Sequence, residues 1–210
     1  MKAYKTIKTD GQTEIKIKKS RFICSIKRVQ SEEEAREFIQ SIKKEHYEAT
    51  HNCSAFIVGE NSEIKRSSDD GEPSGTAGIP MLTVLENHEL TNLVVVVTRY
   101  FGGIKLGAGG LIRSYAGAVA EGIKAIGSVQ VKEQEGILLK MSYSQYQDFG
   151  KWCTDNNQTE YNTTFLEDVV TTLFVDLEEK EAIKDQLIEY FYGKIHLEDR
   201  GKRVVEVPIS

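Results

Sequence analysis

Two periodicities, one of two residues and one of three to four, divide the chain into strands and helices. Ile15 and Ile17, then Phe22, Cys24 and Ile26, recur at every second position, which puts each set on one face of a strand. Asp10-Gly11 supplies the hairpin turn between the first two strands. Ala35, Phe38, Ile39 and Ile42 share a helical stripe, and Ser31 with Glu34 three positions on has the form of a capping box at its start. A strand is expected over residues 52–59. The turn-forming run from Asp69 to Gly78 predicts a loop, then a helix with Ala77, Met81, Val84 and Leu85 on one face and Pro80 tolerated in its first turn. Leu93 to Val97 is apolar at every position and reads as a buried central strand. A glycine-rich connection over 102–107 and a third helix over 109–125 follow.

Between Glu133 and Gly136 the pattern restarts, dividing the chain into domains of residues 1–134 and 135–210. Ile137, Leu139 and Met141 alternate as a strand, Ser144 with Gln147 forms a second capping box, and Tyr146, Phe149 and Cys153 give a helical face with Trp152 off the stripe. Residues 158–166 and 168–176 predict a hairpin. Ile183, Leu187, Tyr190 and Phe191 mark a helix stopped by Gly193. Extended stretches at 195–197 and 204–207 flank an Asp199-Arg200-Gly201 turn. The order strand-helix-strand-strand-helix-strand is that of a ferredoxin-like domain, so the class is α+β.

With 210 residues the chain suits two modest domains. The five-residue run Leu93 to Val97 falls far short of the ~20 residues a membrane-spanning helix needs. No apolar signal core follows Met1, so the expected compartment is the cytoplasm, with no membrane partner. Cys24, Cys53 and Cys153 are an odd, scattered set without a CxxC pair, and are expected as reduced thiols. Charge changes the picture more. Residues from 135 onward carry 15 acidic and 8 basic side chains, a balance of −7, which leaves +2 for the first 134 residues within the total of −5. Contact with a polyanion is therefore expected on the N-terminal part.

The segment Thr98 to Arg113 leaves a buried strand and opens a helix, and Gly102, Gly103, Gly107, Gly109 and Gly110 in it permit positive φ and close backbone approach. A helix N-terminus there suits an anion. Arg99, Lys105 and Arg113 are expected to contact phosphates, Tyr100 and Phe101 to stack on bases, and Lys19 and Arg21 to add peripheral contacts. Asp69, Asp70, Gly71, Glu72, Ser74, Gly75 and Thr76 form a second candidate, a ligand-binding loop. Its three carboxylates suit magnesium beside a phosphate; the simpler alternative is a turn at Asp70-Gly71 capped by Asp69. His51 and Cys53, with His46 and Cys24, are too sparse for zinc, so no metal or cofactor is expected. Neither a P-loop nor a nucleophile elbow is present. Binding is favoured over catalysis. An RNA-binding regulator leads, and an enzyme acting on a small phosphorylated molecule and a protein-interaction adaptor remain as alternatives.

Asp69-Asp70-Gly71-Glu72-Pro73-Ser74-Gly75-Thr76-Ala77-Gly78, with Val96-Val97-Thr98-Arg99-Tyr100-Phe101-Gly102-Gly103 and Leu106-Gly107, resembles the Impact family in its bacterial, YigZ-like branch. Lys18-Lys19-Ser20-Arg21-Phe22 and Thr50-His51-Asn52-Cys53 resemble that family's upstream segments, and the likeness covers residues 1 to about 130. It implies a first domain similar in fold to the second domain of ribosomal protein S5, containing a left-handed crossover. The appended ferredoxin-like domain resembles domain V of elongation factor G. Eukaryotic members regulate translation under stress through protein partners, which implies RNA, ribosome or translation-factor association here. The resemblance brings no catalytic residues with it.

Overall fold

Five consecutive apolar residues in one strand require cover on both faces. Leu93, Val94, Val95, Val96 and Val97 are all fully buried in the computed structural model, which describes residues 1–209. They belong to β6 (Leu93–Tyr100), the middle of an antiparallel sheet whose order is β2 (Gly11–Ile17), β3 (Ser20–Arg28), β6, β4 (His51–Val58), β5 (Ile64–Ser68). On one face, α2 (Gly78–Asn87) and α3 (Gly107–Ile126) bury Met81, Leu85, Tyr115 and Val119 against Phe22, Cys24, Cys53, Val95 and Val97. On the other, α1 (Glu32–Glu45) packs Ala35 against Phe56, Val58 and Val94. Alternate residues of β6 thus serve two separate cores.

α1 opens with the Ser31 hydroxyl accepting from the Glu34 N–H at 3.1 Å. The Glu34 carboxylate reaches the Gln30 N–H instead of completing the box at Ser31. β5 carries one apolar residue in Ile-Lys-Arg-Ser-Ser, so its place at the sheet's edge left no periodic signal. β1 (Tyr4–Ile7) pairs antiparallel with the first residues of β7 (Ser128–Met141), Tyr4 opposite Val131 and Ile7 opposite Ser128. Lys2–Val131 and the stretch from Glu206 onward form one compact unit, and Lys132–Val205 with Met1 forms the other.

The second unit holds the rest of β7, then α4 (Tyr143–Asp155), β8 (Glu160–Phe165), β9 (Val169–Asp176), α5 (Lys180–Tyr190) and most of β10 (His196–Ile209). Its strands run β10-β7-β9-β8, the ferredoxin-like order. Ile137, Leu139, Phe149, Leu173 and Leu187 fill the core. Four expectations need correcting. Asp10-Gly11 makes no hairpin, because β1 pairs with β7 and β2 turns into β3 at Lys18-Lys19. α4 is capped by Ser142 and Gln145, not by Ser144 and Gln147: the same S-x-x-Q pattern occurs twice, and the earlier copy lets the helix start directly after β7. Trp152 is not off the stripe: three residues after Phe149 it shares the buried face, stacked on that ring with centroids 6.0 Å apart. Finally, Asp199-Arg200-Gly201 does not turn; one 14-residue strand runs through it. Gly136 permits this, since a Cβ there would sit 2.1 Å from the Arg200 carbonyl oxygen. No described helix is long and apolar enough to cross a membrane.

Candidate nucleic-acid interface

The loop from Asp69 to Gly78 is organised from within. Asp69 accepts the N–H of Gly75 at 2.8 Å on one carboxylate oxygen, and those of Ala77 at 3.1 Å and Gly78 at 2.8 Å on the other. Burial alone would raise its carboxyl; the three N–H groups outweigh that and hold it below the ordinary aspartate value. Asp69 is thus the capping residue of the simpler alternative. Asp70 turns away from it, accepting from Lys43 Nζ at 2.6 Å and from the Asn52 N–H at 2.7 Å, while its carbonyl faces His51 Nδ1 at 2.8 Å. A carbonyl only accepts, so Nδ1 carries the proton.

Glu72 goes inward. Its Oε1 accepts from Arg99 Nη1 and from the Tyr115 hydroxyl, both at 2.7 Å, and its Oε2 stands 3.6 Å from His51 Nε2. Arg99 was expected on the phosphate-contacting surface, and the structure corrects this. It is 5% exposed, held by Glu72 on one side and flanked by the Phe22 and Phe101 rings. In the antiparallel register Arg99 lies opposite Phe22 and His51, at the centre of the sheet. Its Nε, like His46 Nε2, is buried without a hydrogen-bond partner among the described residues. The three carboxylates that the magnesium alternative needs therefore serve three different sets of partners. Among the described residues no group of three or more His, Cys, Asp or Glu side chains is placed to hold a metal ion. Burial pushes the Cys24 and Cys53 thiols up to about 12, which leaves both as inert core groups at neutral pH.

The remaining cations gather at one end of the sheet. Lys18 and Lys19, both at positive φ, make the turn from β2 to β3. Gly102 packs on that turn so closely that a Cβ would lie 2.1 Å from the Lys19 carbonyl, and its N–H donates to the Ser20 hydroxyl at 3.3 Å. Arg21 lies over the Tyr100 ring and forms two hydrogen bonds to Glu14. Tyr100 spends its hydroxyl on His46 Nδ1 at 2.9 Å, so only part of its ring faces out. Phe101 is 46% exposed. Beyond it Gly103, Lys105, Gly107 and Gly109 are exposed and Gly110 is half-buried, and α3 begins at Gly107 with no side chain capping it. The Arg113 guanidinium folds back along this first turn, 3.4 Å from where a Gly109 Cβ would be. Lys18, Lys19, Lys105 and Arg113 form no ion pair among the described residues, while Gly71 and Ser74 sit exposed on the neighbouring loop and Thr76 is buried, bonded to the Pro73 carbonyl.

Sequence reasoning missed Tyr115, Lys43, Asn52 and Ser20, the groups that hold this end together. Ser20 and Asn52 lay unassigned in segments that carry the family likeness, and Tyr115 left a physical signal, because a tyrosine on the apolar face of a helix needs a partner for its hydroxyl. Comparison with known proteins finds one family model in each part of the chain. The Impact N-terminal domain matches residues 18–123, and a domain of unknown function, DUF1949, matches residues 139–194. The Impact family member YvyE of Bacillus subtilis is 45% identical over 211 residues, covering 99% of this chain and 96% of that one. YigZ of Escherichia coli is 39% identical over 131 residues, 61% of this chain and 64% of its own. A crystal structure of a hypothetical protein superposes with a TM-score of 0.60 at 29% identity, covering 94% of this chain and 97% of that one.

Proposed function

Because this chain belongs to the Impact family, we propose that it is a regulatory binding protein linked to translation, acting in the cytoplasm through association with RNA, free or within the ribosome. The observation that carries the RNA contact is the open N-terminus of α3, with exposed backbone at Gly107 and Gly109 beside Lys105, Arg113, Lys18 and Lys19, none of which has an acidic partner among the described residues. N–H groups at the positive end of a 20-residue helix favour a phosphate oxygen, and unpaired cations around it lower the cost of bringing a polyanion near. Phe101, half-exposed beside them, supplies a ring for an unstacked base. Arg99 has no part in this contact. It holds Glu72 and so fixes the loop on which the neighbouring surface is built. The second domain tunes the binding, and a translation-related protein partner is the natural reader of the complex.

Titration of single-stranded RNA against salt tests the reading. Neutralised phosphates give a slope of roughly −0.7 each on single strands. Replacing Lys19, Lys105 and Arg113 together by alanine is expected to weaken binding and flatten the slope, whereas a slope that survives the triple change removes this surface from the proposal.

A further inference from the structure

The α1 face of the first sheet is not fully covered. α1 packs on β4 and β6 and stops short of the edge strand β5, leaving a cavity of about 310 Å³ between them. Strand register builds its floor: Phe56 pairs with Arg66 and Ser54 with Ser68, and directly opposed residues share a face. Ile39 and Arg36, three apart on α1, form the facing wall. The floor sets Phe56 beside serines, and the rim carries Arg36, Arg66 and Lys43, each paired with a carboxylate.

Glu32 Oε1 accepts from Arg36 Nε at 3.1 Å and Nη2 at 2.6 Å, and stands 3.8 Å from Arg66 Nε. One carboxylate oxygen therefore draws two guanidiniums together over the cavity. Lys43 completes the rim, tied to Asp70. Ser54 is 5% exposed, lines the cavity, and makes no side-chain hydrogen bond among the described residues. That hydroxyl still reaches solvent within the cavity and is free to donate to an incoming acceptor.

We propose that this cavity binds a small phosphate monoester, with the phosphoryl group displacing the Glu32 carboxylate from between Arg36 and Arg66 and the organic body on Ile39 and Phe56. Three phosphoryl oxygens offer two guanidinium forks and the Ser54 hydroxyl more charge and more acceptor lone pairs than the two oxygens of the Glu32 carboxylate that they would replace. The volume lies at the lower end of the range for small-molecule sites, which suits a compact ester. This site lies on the opposite face of the sheet from α3 and does not depend on the RNA contact.

Calorimetric titration of the full chain with phenyl phosphate, inorganic phosphate and benzyl alcohol tests it. Saturable one-to-one binding of phenyl phosphate is expected, weaker binding of inorganic phosphate, and none of benzyl alcohol. Arg36→Ala with Arg66→Ala should cut affinity about tenfold or more, and Ser54→Ala severalfold. Replacing Lys105 and Arg113 should leave it unchanged. Both arginines are more than half exposed, so the paired change leaves the core intact, and circular dichroism confirms it. Failure to saturate, or saturation that survives the arginine changes, overturns the site. Inorganic phosphate binding as tightly as the ester overturns the ligand class.

Discussion

At Asp69 one carboxylate serves three backbone N–H groups that would otherwise face the interior of the loop or the start of α2. Asparagine keeps the shape but loses the charge, and it points an NH2 group at one of these donors. Asp69→Asn should therefore cost about 2 kcal/mol at neutral pH, in the range for hydrogen bonds to a charged group. The folded carboxyl titrates below its ordinary value, so its contribution is complete above roughly pH 4 and is lost as pH falls through the folded value. Melting curves of both proteins across this range should converge in acid. A gap that stays constant from pH 7 to pH 3 would mean that charge is not what the loop uses.

Among elements, α4 gives the sharpest comparison, because two overlapping S-x-x-Q patterns compete for its start. Ser142→Ala removes the hydroxyl that accepts from the Gln145 N–H and should cost about 1 kcal/mol. Ser144→Ala, inside the first turn, should cost little or nothing. Denaturant midpoints at equal slope decide between the two. The sequence could not choose here because both copies satisfy the same local rule, and only the end of β7 at Met141 selects one. The amphipathic helices and alternating strands were legible, since each buries one face. β5 and the continuity of β10 were not: the first has no apolar stripe, and the second depends on the close approach of Gly136 to Arg200, which no local pattern encodes.

The whole chain poses the question of independent folding. A chain ending at Val131 keeps every strand of the first sheet and the pairing of β1 with the start of β7. It loses Glu206, whose carboxylate holds Arg28 through two hydrogen bonds at 2.6 and 2.9 Å. Both partners are partly exposed, so the loss should be at most about 1 kcal/mol. We expect the shortened protein to stay folded by circular dichroism and to bind RNA more tightly at low salt, because a strongly acidic half has been removed. Weaker binding by a folded fragment would show that the second unit makes contacts of its own. The charge split behind this expectation was visible in the sequence. The site was visible only in part, because exposure and pairing decide which cations are free, and the pairing of Arg99 with Glu72 spans 27 residues.

That pairing also sets an order of events. Glu72 sits in a loop, Arg99 on the central strand and Tyr115 on α3, so the carboxylate can leave water only after three distant segments have already met. A charge cannot be buried ahead of its partners, and the contact should be absent from the folding transition state. Glu72→Gln is then expected to leave the refolding rate nearly unchanged while unfolding accelerates about a hundredfold, the kinetic share of a buried pair worth ~3 kcal/mol. Stopped-flow circular dichroism on both limbs measures this directly, and a slowed refolding limb would place the pair in the nucleus instead. On this view the loop is a late-closing latch, one that lengthens the lifetime of the folded protein without helping it to form.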